Sequence, residues 1–425
     1  MLNRTQHPNI IDAVDLNLTL KPYESFSLAN GVPVYAVNAG AEEVLMIELV
    51  FYAGNSYEHQ NLVASATNHL LKNGTSKKTA FQISEHFDYY GAYLSRSCHN
   101  EFASVTLHCL SKHLNMLLPV IREIITDSVF TEEELEIYKQ TSKQKLSVNL
   151  TKCDFVANRL IDVSLYGTDH PYGKFTSVAD YDLLQTDRIK QFYRQYYQNG
   201  KCIIFTAGKL PANFKEQLNS SFGDLNINQS INSPAHIAIR ALQKKARVSN
   251  DVNGVQGAIR LGRPFPSRHH PDFKKVTILN ILFGGFFGSR LMSNIREEKG
   301  YTYGISSYLQ NHIQESAWIV STEAGKDVCE ATLQEVYKEM KLLRENLVDD
   351  EELLLVKNYM MGTNLGDIDG PFQIIARWKT LILNNLDESY FYNSMNTIKN
   401  ITAGEIRDLA DKYLRSEDFF ELVVI

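Results

Sequence analysis

The segment FTEEELEIYKQ, residues 130–140, returns as VDDEELLLVKN at 348–358, an offset of 218. Farther on, Ile189 and Tyr196 are answered by Ile406 and Tyr413 at an offset of 217, and each copy runs into a short apolar strand, CIIFTA in the first and FFELVVI in the second. Two echoes at nearly one offset, in the same order and before the same kind of element, restrict the chain to two copies of one unit of roughly two hundred residues. A chain of 425 residues is also too long for one core. The expected fold class is α+β: two homologous domains from an internal duplication, each a mostly antiparallel sheet packed against helices. The stretch 223–241, rich in Asn, Ser and Pro and poor in periodicity, reads as a linker between domains at 1–222 and 242–425.

Within the first copy, Asn30-Gly31 between two alternating runs predicts a β-hairpin. The nearly continuous apolar run Val44 to Tyr52 predicts a central strand covered on both faces. Gln60 to Lys72 reads as a helix with Leu62, Ala66, His69 and Leu70 on one face. Phe102 to Cys109 reads as a strand. The helical pattern beginning at Leu114 contains Pro119, which must kink it or mark a later start. Thr131 supplies the N-cap of the next helix.

In the second copy the densest information lies in FGGFFGSRLMSNIREEKGYTYG, Phe283 to Gly304. Gly284, Gly285 and Gly288 interrupt an apolar run and predict a loop. Ser289 stands at an N-cap position, Leu291, Met292 and Ile295 form an apolar stripe, and Gly300 ends the segment. Arg296 then lies in the last turn of a short helix, and Tyr303 follows on an extended segment. Together the two could hold a peptide carbonyl or a developing oxyanion. The plainer reading is a cation at a helix C-terminus and an ordinary strand tyrosine.

The formal charge of −6, with no basic segment, leaves no electrostatic footprint for nucleic acid. No apolar stretch reaches the length of a membrane span, and the first twenty residues lack the apolar core of a signal peptide, so a cytoplasmic protein with no membrane role is expected. Five cysteines, scattered and without CxxC spacing, read as reduced and mostly buried thiols. His108 and Cys109 are strand neighbours and face opposite sides, so they make poor joint ligands. His269 and His270 are adjacent and fare no better, and HPYG at His170–Gly173 is most simply a turn.

A duplicated α+β chain with VLMIELVFYAG, a helix ending HLLKNGT, then HPYG and later GSRLMSNIREEKGYTYG resembles the insulinase and pitrilysin family of zinc metallopeptidases. It is most similar to the branch of processing-peptidase subunits and their bacterial relatives. The resemblance spans nearly the whole chain. Active members of that family carry H-x-x-E-H, in which two His on one helix face bind zinc and the Glu serves as base. Here the window reads Ser65, Ala66, Thr67, Asn68, His69. The family's third ligand, a Glu some way along the chain on another helix, falls in the region of Gln144 and Lys145, and no acid stands between Glu136 and Asp154. Asn does not ionise and cannot act as a general base. No zinc is expected on this chain, and His69 reads as a hydrogen-bonded, partly buried histidine.

The resemblance further implies that Arg296 and Tyr303 touch substrate, with Gly284, Gly285 and Gly288 in the substrate-binding loop. The function so implied is a non-catalytic, substrate-binding subunit of a dimeric zinc metallopeptidase, inactive alone, whose homologous partner bears the zinc. Heterodimer and homodimer both remain open, and a homodimer in crystals is compatible with either. The alternatives are a peptide-binding or scaffold homologue with no proteolytic role, and a hydrolase with a rebuilt site.

Overall fold

The structure, a computed structural model, describes residues 11–230, 244–251 and 253–425. The linker expected at 223–241 lies outside the described residues from 231 onward, as does residue 242, where the second domain is expected to open. The chain divides into two compact units. One gathers Pro22–Leu242 with Gly370–Lys379; the other gathers Met1–Lys21, Gln243–Asp369 and Thr380–Ile425.

The first unit is built on a six-stranded sheet of β1 (Glu24–Ser27), β2 (Pro33–Asn38), β3 (Val44–Phe51), β4 (Tyr93–Cys98), β5 (Ala103–Leu110) and β6 (Cys202–Gly208), in the order β1-β2-β6-β3-β5-β4. The expected hairpin joins β1 to β2, and the Asn30 amide is spent outside it, donating to the carbonyls of Phe222 at 2.9 Å and Leu225 at 2.7 Å. β3 is central and buried from Leu45 to Phe51. One charge interrupts it. The Glu48 carboxylate accepts two bonds from Lys379 Nζ, at 2.9 and 2.8 Å, and Lys379 lies on the helix Pro371–Leu383. The apolar run around Glu48 hides this partner, because it comes from three hundred residues downstream. Helix Leu114–Asp127 starts before Pro119 and runs through it.

The second unit's sheet comprises β7 (Lys245–Val248), β8 (Gln256–Phe265), β9 (Thr302–Asn311), β10 (Ser316–Gly325) and β11 (Phe420–Val424), in the order β7-β11-β8-β10-β9. Replacing β2 to β6 by β7 to β11 in turn reproduces the first sheet's order. It also reproduces its one parallel pair, β2 with β6 in one and β7 with β11 in the other. The echoed helices match as well. Glu132–Leu150 is capped by Thr131, whose hydroxyl accepts from the Glu134 amide, and Asp350–Gly366 by Asp349, whose carboxylate accepts from the Glu352 amide. Acids in both first turns favour the positive helix end. Among the described residues, no helix is long and apolar enough to cross a membrane.

Candidate functional site

The first candidate lies on the helix Val63–Leu70. Leu62, Ala66 and Leu70 face the core as expected, but His69 stands at the exposed edge of that stripe. Its ring packs 4.8 Å from that of Tyr138. Desolvation, reinforced by the charges of Arg96 and Lys72, pushes the imidazole down to about 4, so it is neutral at pH 7. Asn68 is buried, and its amide nitrogen donates to the Ser104 carbonyl at 3.2 Å and the Tyr197 hydroxyl at 3.1 Å. A carboxylate has no proton to give the Ser104 carbonyl, so the residue standing where a base is sought is fixed as a donor. Ser65 donates to the Leu62 carbonyl at 3.1 Å and lies beside the Tyr138 phenol.

Tyr138 and Ser142, on the helix Glu132–Leu150, meet this face; Gln144 and Lys145 are exposed. Burial, with Tyr181 beside it, pushes the Tyr138 phenol up to about 12. Arg96 donates to the His69 carbonyl, and desolvation lowers its guanidinium to about 10.

Zinc sites use thiolate, imidazole or carboxylate donors, three at least from protein. This face offers one imidazole among alcohols, a protonated phenol and an amide nitrogen, with an arginine behind it. These residues do not fit a zinc ion. Elsewhere, among the described residues, no group of three or more His, Cys, Asp or Glu side chains is placed to hold a metal. His108 is exposed and Cys109 buried, as strand alternation requires. His269 pairs with the Asn384 carbonyl at 2.9 Å, and the His170 carbonyl closes the HPYG turn by accepting from Gly173 at 3.0 Å.

The second candidate is in the other unit. The helix Phe273–Asn280 continues as a π-wound turn through Ile281–Gly285, so Gly284 and Gly285 end a helix, and the loop expected at all three glycines is confined to 286–289. Close approach is the reason. A Cβ on Gly284 would lie 2.7 Å from the Ser307 Cβ and 3.0 Å from its amide nitrogen on β9. That contact keeps Ser307 in a buried chain in which Trp318 Nε1 donates to its hydroxyl at 2.7 Å and the hydroxyl donates to Asn280 Oδ1 at 2.7 Å.

Ser289 does precede the next helix, and its carbonyl accepts from the Ser293 amide, but its buried hydroxyl has no hydrogen-bond partner. That helix is π-wound from Met292 to Glu298, a form that recurs at functional sites. Arg290, bidentate to Glu352 at 2.8 Å on both arms, and Asn294, which donates to Glu335 and Glu339 at 2.9 and 2.7 Å, fasten it. Gly300 closes the helix at φ +66, the left-handed cap, and the Tyr301 amide reaches back to the Ile295 carbonyl at 3.0 Å.

The structure brings Arg296 and Tyr303 together. The guanidinium carbon is 5.7 Å from the centroid of the Tyr303 ring, which is 93 % exposed at the start of β9. No carboxylate among the described residues forms an ion pair with Arg296. Two residues went unread in the sequence: Tyr138, inside a segment read for its echo and its N-cap, and Phe287, inside a motif read for its glycines. The Arg296 guanidinium lies 4.7 Å from the Phe287 ring centroid.

Comparison with known proteins places residues 34–164 in a family described as insulinase (peptidase family M16) and residues 184–360 in one described as peptidase M16 inactive domain. A Bacillus subtilis (strain 168) protein named uncharacterized zinc protease YmxG is 22% identical over 360 residues, covering 83% of this chain and 86% of its own. A Helicobacter pylori protein named non-peptidase homolog YmxG is 22% identical over 326 residues, covering 75% and 74%. The crystal structure of a peptidase M16 inactive domain from Pseudomonas fluorescens superposes with a TM-score of 0.83 at 22% identity, covering 95% of this chain and 98% of that one.

Proposed function

Because this chain belongs to the M16 peptidase family while the residues at its own H-x-x-E-H position do not fit zinc, we propose that it is a non-catalytic, substrate-binding subunit of a dimeric zinc peptidase. The observation that carries this reading is the contrast in satisfaction. Asn68 and Ser65 are engaged inside the fold, whereas half-buried Arg296 stands beside exposed Tyr303 with no ion pair to a carboxylate among the described residues. The zinc in this reading belongs to a homologous partner chain, and this chain carries none. None of its five cysteines is in a disulfide, which supports a cytoplasmic location.

Tyr303 is the second residue of β9, the outermost strand of its sheet, on which Gly304, Ser306 and Tyr308 are also exposed. A peptide added along that edge gains backbone hydrogen bonds, and the guanidinium and phenol would meet its carbonyl oxygens. Bonds that strengthen as a carbonyl becomes an oxyanion lower the barrier; bonds of equal strength in both states only tighten binding.

The test mixes this chain, as wild type, Arg296→Ala or Tyr303→Phe, with a homologous chain bearing an intact H-x-x-E-H, and follows a fluorogenic peptide. This chain alone should be inactive, and Arg296→Ala should lower kcat of the mixture about a hundredfold, the scale of losing an oxyanion donor. A rise in KM alone would restrict the pair to ground-state binding. A productive mixture indifferent to both substitutions would remove the pair from the mechanism and leave this chain a structural partner only.

A further inference from the structure

The motif FGGFFG carries two adjacent phenylalanines, Phe286 and Phe287, whose rings go to different places. Phe286 stacks on Tyr359 of the helix Asp350–Gly366, with centroids 4.6 Å apart and planes 28° from parallel. Phe287 instead remains 60 % exposed, with the Arg296 guanidinium carbon 4.7 Å from its centroid. Burial does not explain an exposed phenylalanine on a loop tip. Contact with a cation does, because a ring face attracts a guanidinium without using any of its five N–H donors.

Two aromatic rings, Phe287 and Tyr303, therefore flank Arg296, and Phe287 is the nearer. An arginine in the last turn of a surface helix ordinarily samples many rotamers. Here the stack on Tyr359 anchors the loop on one side, and the next residue presents its ring to the guanidinium on the other. A Cβ on Gly288 would meet the Phe286 ring at 2.8 Å, so that glycine permits the stack.

We infer that Phe287 is a positioning residue for Arg296, holding the guanidinium by its face so that its N–H edges are presented to acceptor groups of a peptide. The inference rests on the peptide-contacting role proposed above for Arg296.

Arginine Nε–Hε NMR spectra of the full chain, with Arg296→Lys assigning the peak, read the positioning directly and need neither partner nor substrate. The Arg296 proton should be shifted upfield by the rings and its Nε should be ordered. Phe287→Leu should move the peak toward the position of a free arginine, with the Tyr303 ring alone left beside it, and raise its mobility, and Phe287→Tyr should restore both. The fold is not at risk, since the side chain is largely exposed. A peak indifferent to Phe287→Leu would overturn the inference. In the mixed turnover assay the same substitution should lower kcat/KM about two- to fivefold, the population one exposed cation–π contact controls, with Phe287→Tyr recovering it. Turnover that follows Arg296→Ala but ignores Phe287→Leu would also overturn it. If turnover ignores Arg296→Ala as well, the proposed function fails and the NMR result alone decides whether Phe287 positions Arg296.

Discussion

The two units share a strand order and differ in what they do with polar side chains on the helices that carry their candidate sites. In the first, the helix Val63–Leu70 turns Asn68 inward, where it donates to a strand carbonyl and a tyrosine, and Ser65 donates to the Leu62 carbonyl beside Tyr138. In the second, the π-wound helix Met292–Glu298 uses Asn294 to fasten itself and leaves Arg296, half-buried in its last turn, beside two exposed rings. The two helices are not counterparts in the duplication, since Val63–Leu70 answers Phe273–Gly285 in element order, yet they show opposite uses of polar side chains: one set is absorbed into stability, and the other is the one proposed to meet a ligand. Absorption is harder to reverse than loss, because the polar groups now have structural partners.

The largest effect should come from trying to reverse it. Asn68→Glu removes two donated bonds and puts a carboxylate against the Ser104 carbonyl in a site 3 % exposed. A buried, uncompensated charge costs about 3–5 kcal/mol. For a unit of this size that lowers Tm by roughly 6–20 °C, measured by thermal unfolding. The double substitution Ser65→His with Asn68→Glu should retain no zinc after dialysis, since Tyr138 and Arg96 remain. A double variant as stable as wild type and holding one zinc would break the comparison.

The second unit should be sensitive at its backbone. Gly284→Ala forces a Cβ to 2.7 Å from that of Ser307, and overpacking of this kind costs about 1–3 kcal/mol. Gly300→Ala meets no atom within 4 Å but strains a left-handed residue, at about 1–2 kcal/mol. Urea unfolding should rank the first above the second. The Arg296 NMR peak should move more with Gly284→Ala, because that change displaces the loop carrying Phe287. Equal effects would mean that the tight contact with β9 does not set the loop.

The duplication showed as echoes 217 and 218 positions apart, whereas turn and period signals made the hairpin, the buried central strand and the Thr131 cap legible, because each depends on neighbours a few residues away. Arg296 and Tyr303 were legible for the same reason, seven residues apart around a glycine cap. Glu48 was not, since its lysine lies 331 positions on, and an acid in an apolar run looks like an exception until that partner is known. Tyr138 was missed because its helix reads as a charged surface helix, and only packing reveals which side meets Ser65. The loop expected at Gly284 and Gly285 was a misreading of glycine as a breaker, where a helix instead needed its missing side chain to touch a strand.

The smallest effect expected is in the pH dependence of the first unit, where two groups flanking one helix oppose each other. His69 is lowered to about 4 from 6.5, so between those values the unfolded chain binds more protons and stability falls as pH falls. Glu58 at the other end accepts from the amides of Leu62 and Ala64 at 3.3 and 2.9 Å. Burial outweighs those bonds and the charge of Lys174, with Asp180 adding to the rise, and lifts it to about 7 from 4.5, so between those values the folded chain binds more protons and stability falls as pH rises. The two slopes largely cancel in the wild type. His69→Gln should unmask the loss on raising pH from about 4.5 to 7, and Glu58→Gln should unmask the loss on lowering it from about 6.5 to 4. Urea midpoints across that range read both. Parallel profiles for wild type and either variant would mean that this helix is insensitive to the charges at its ends, and the electrostatic half of the contrast between the units would go with it.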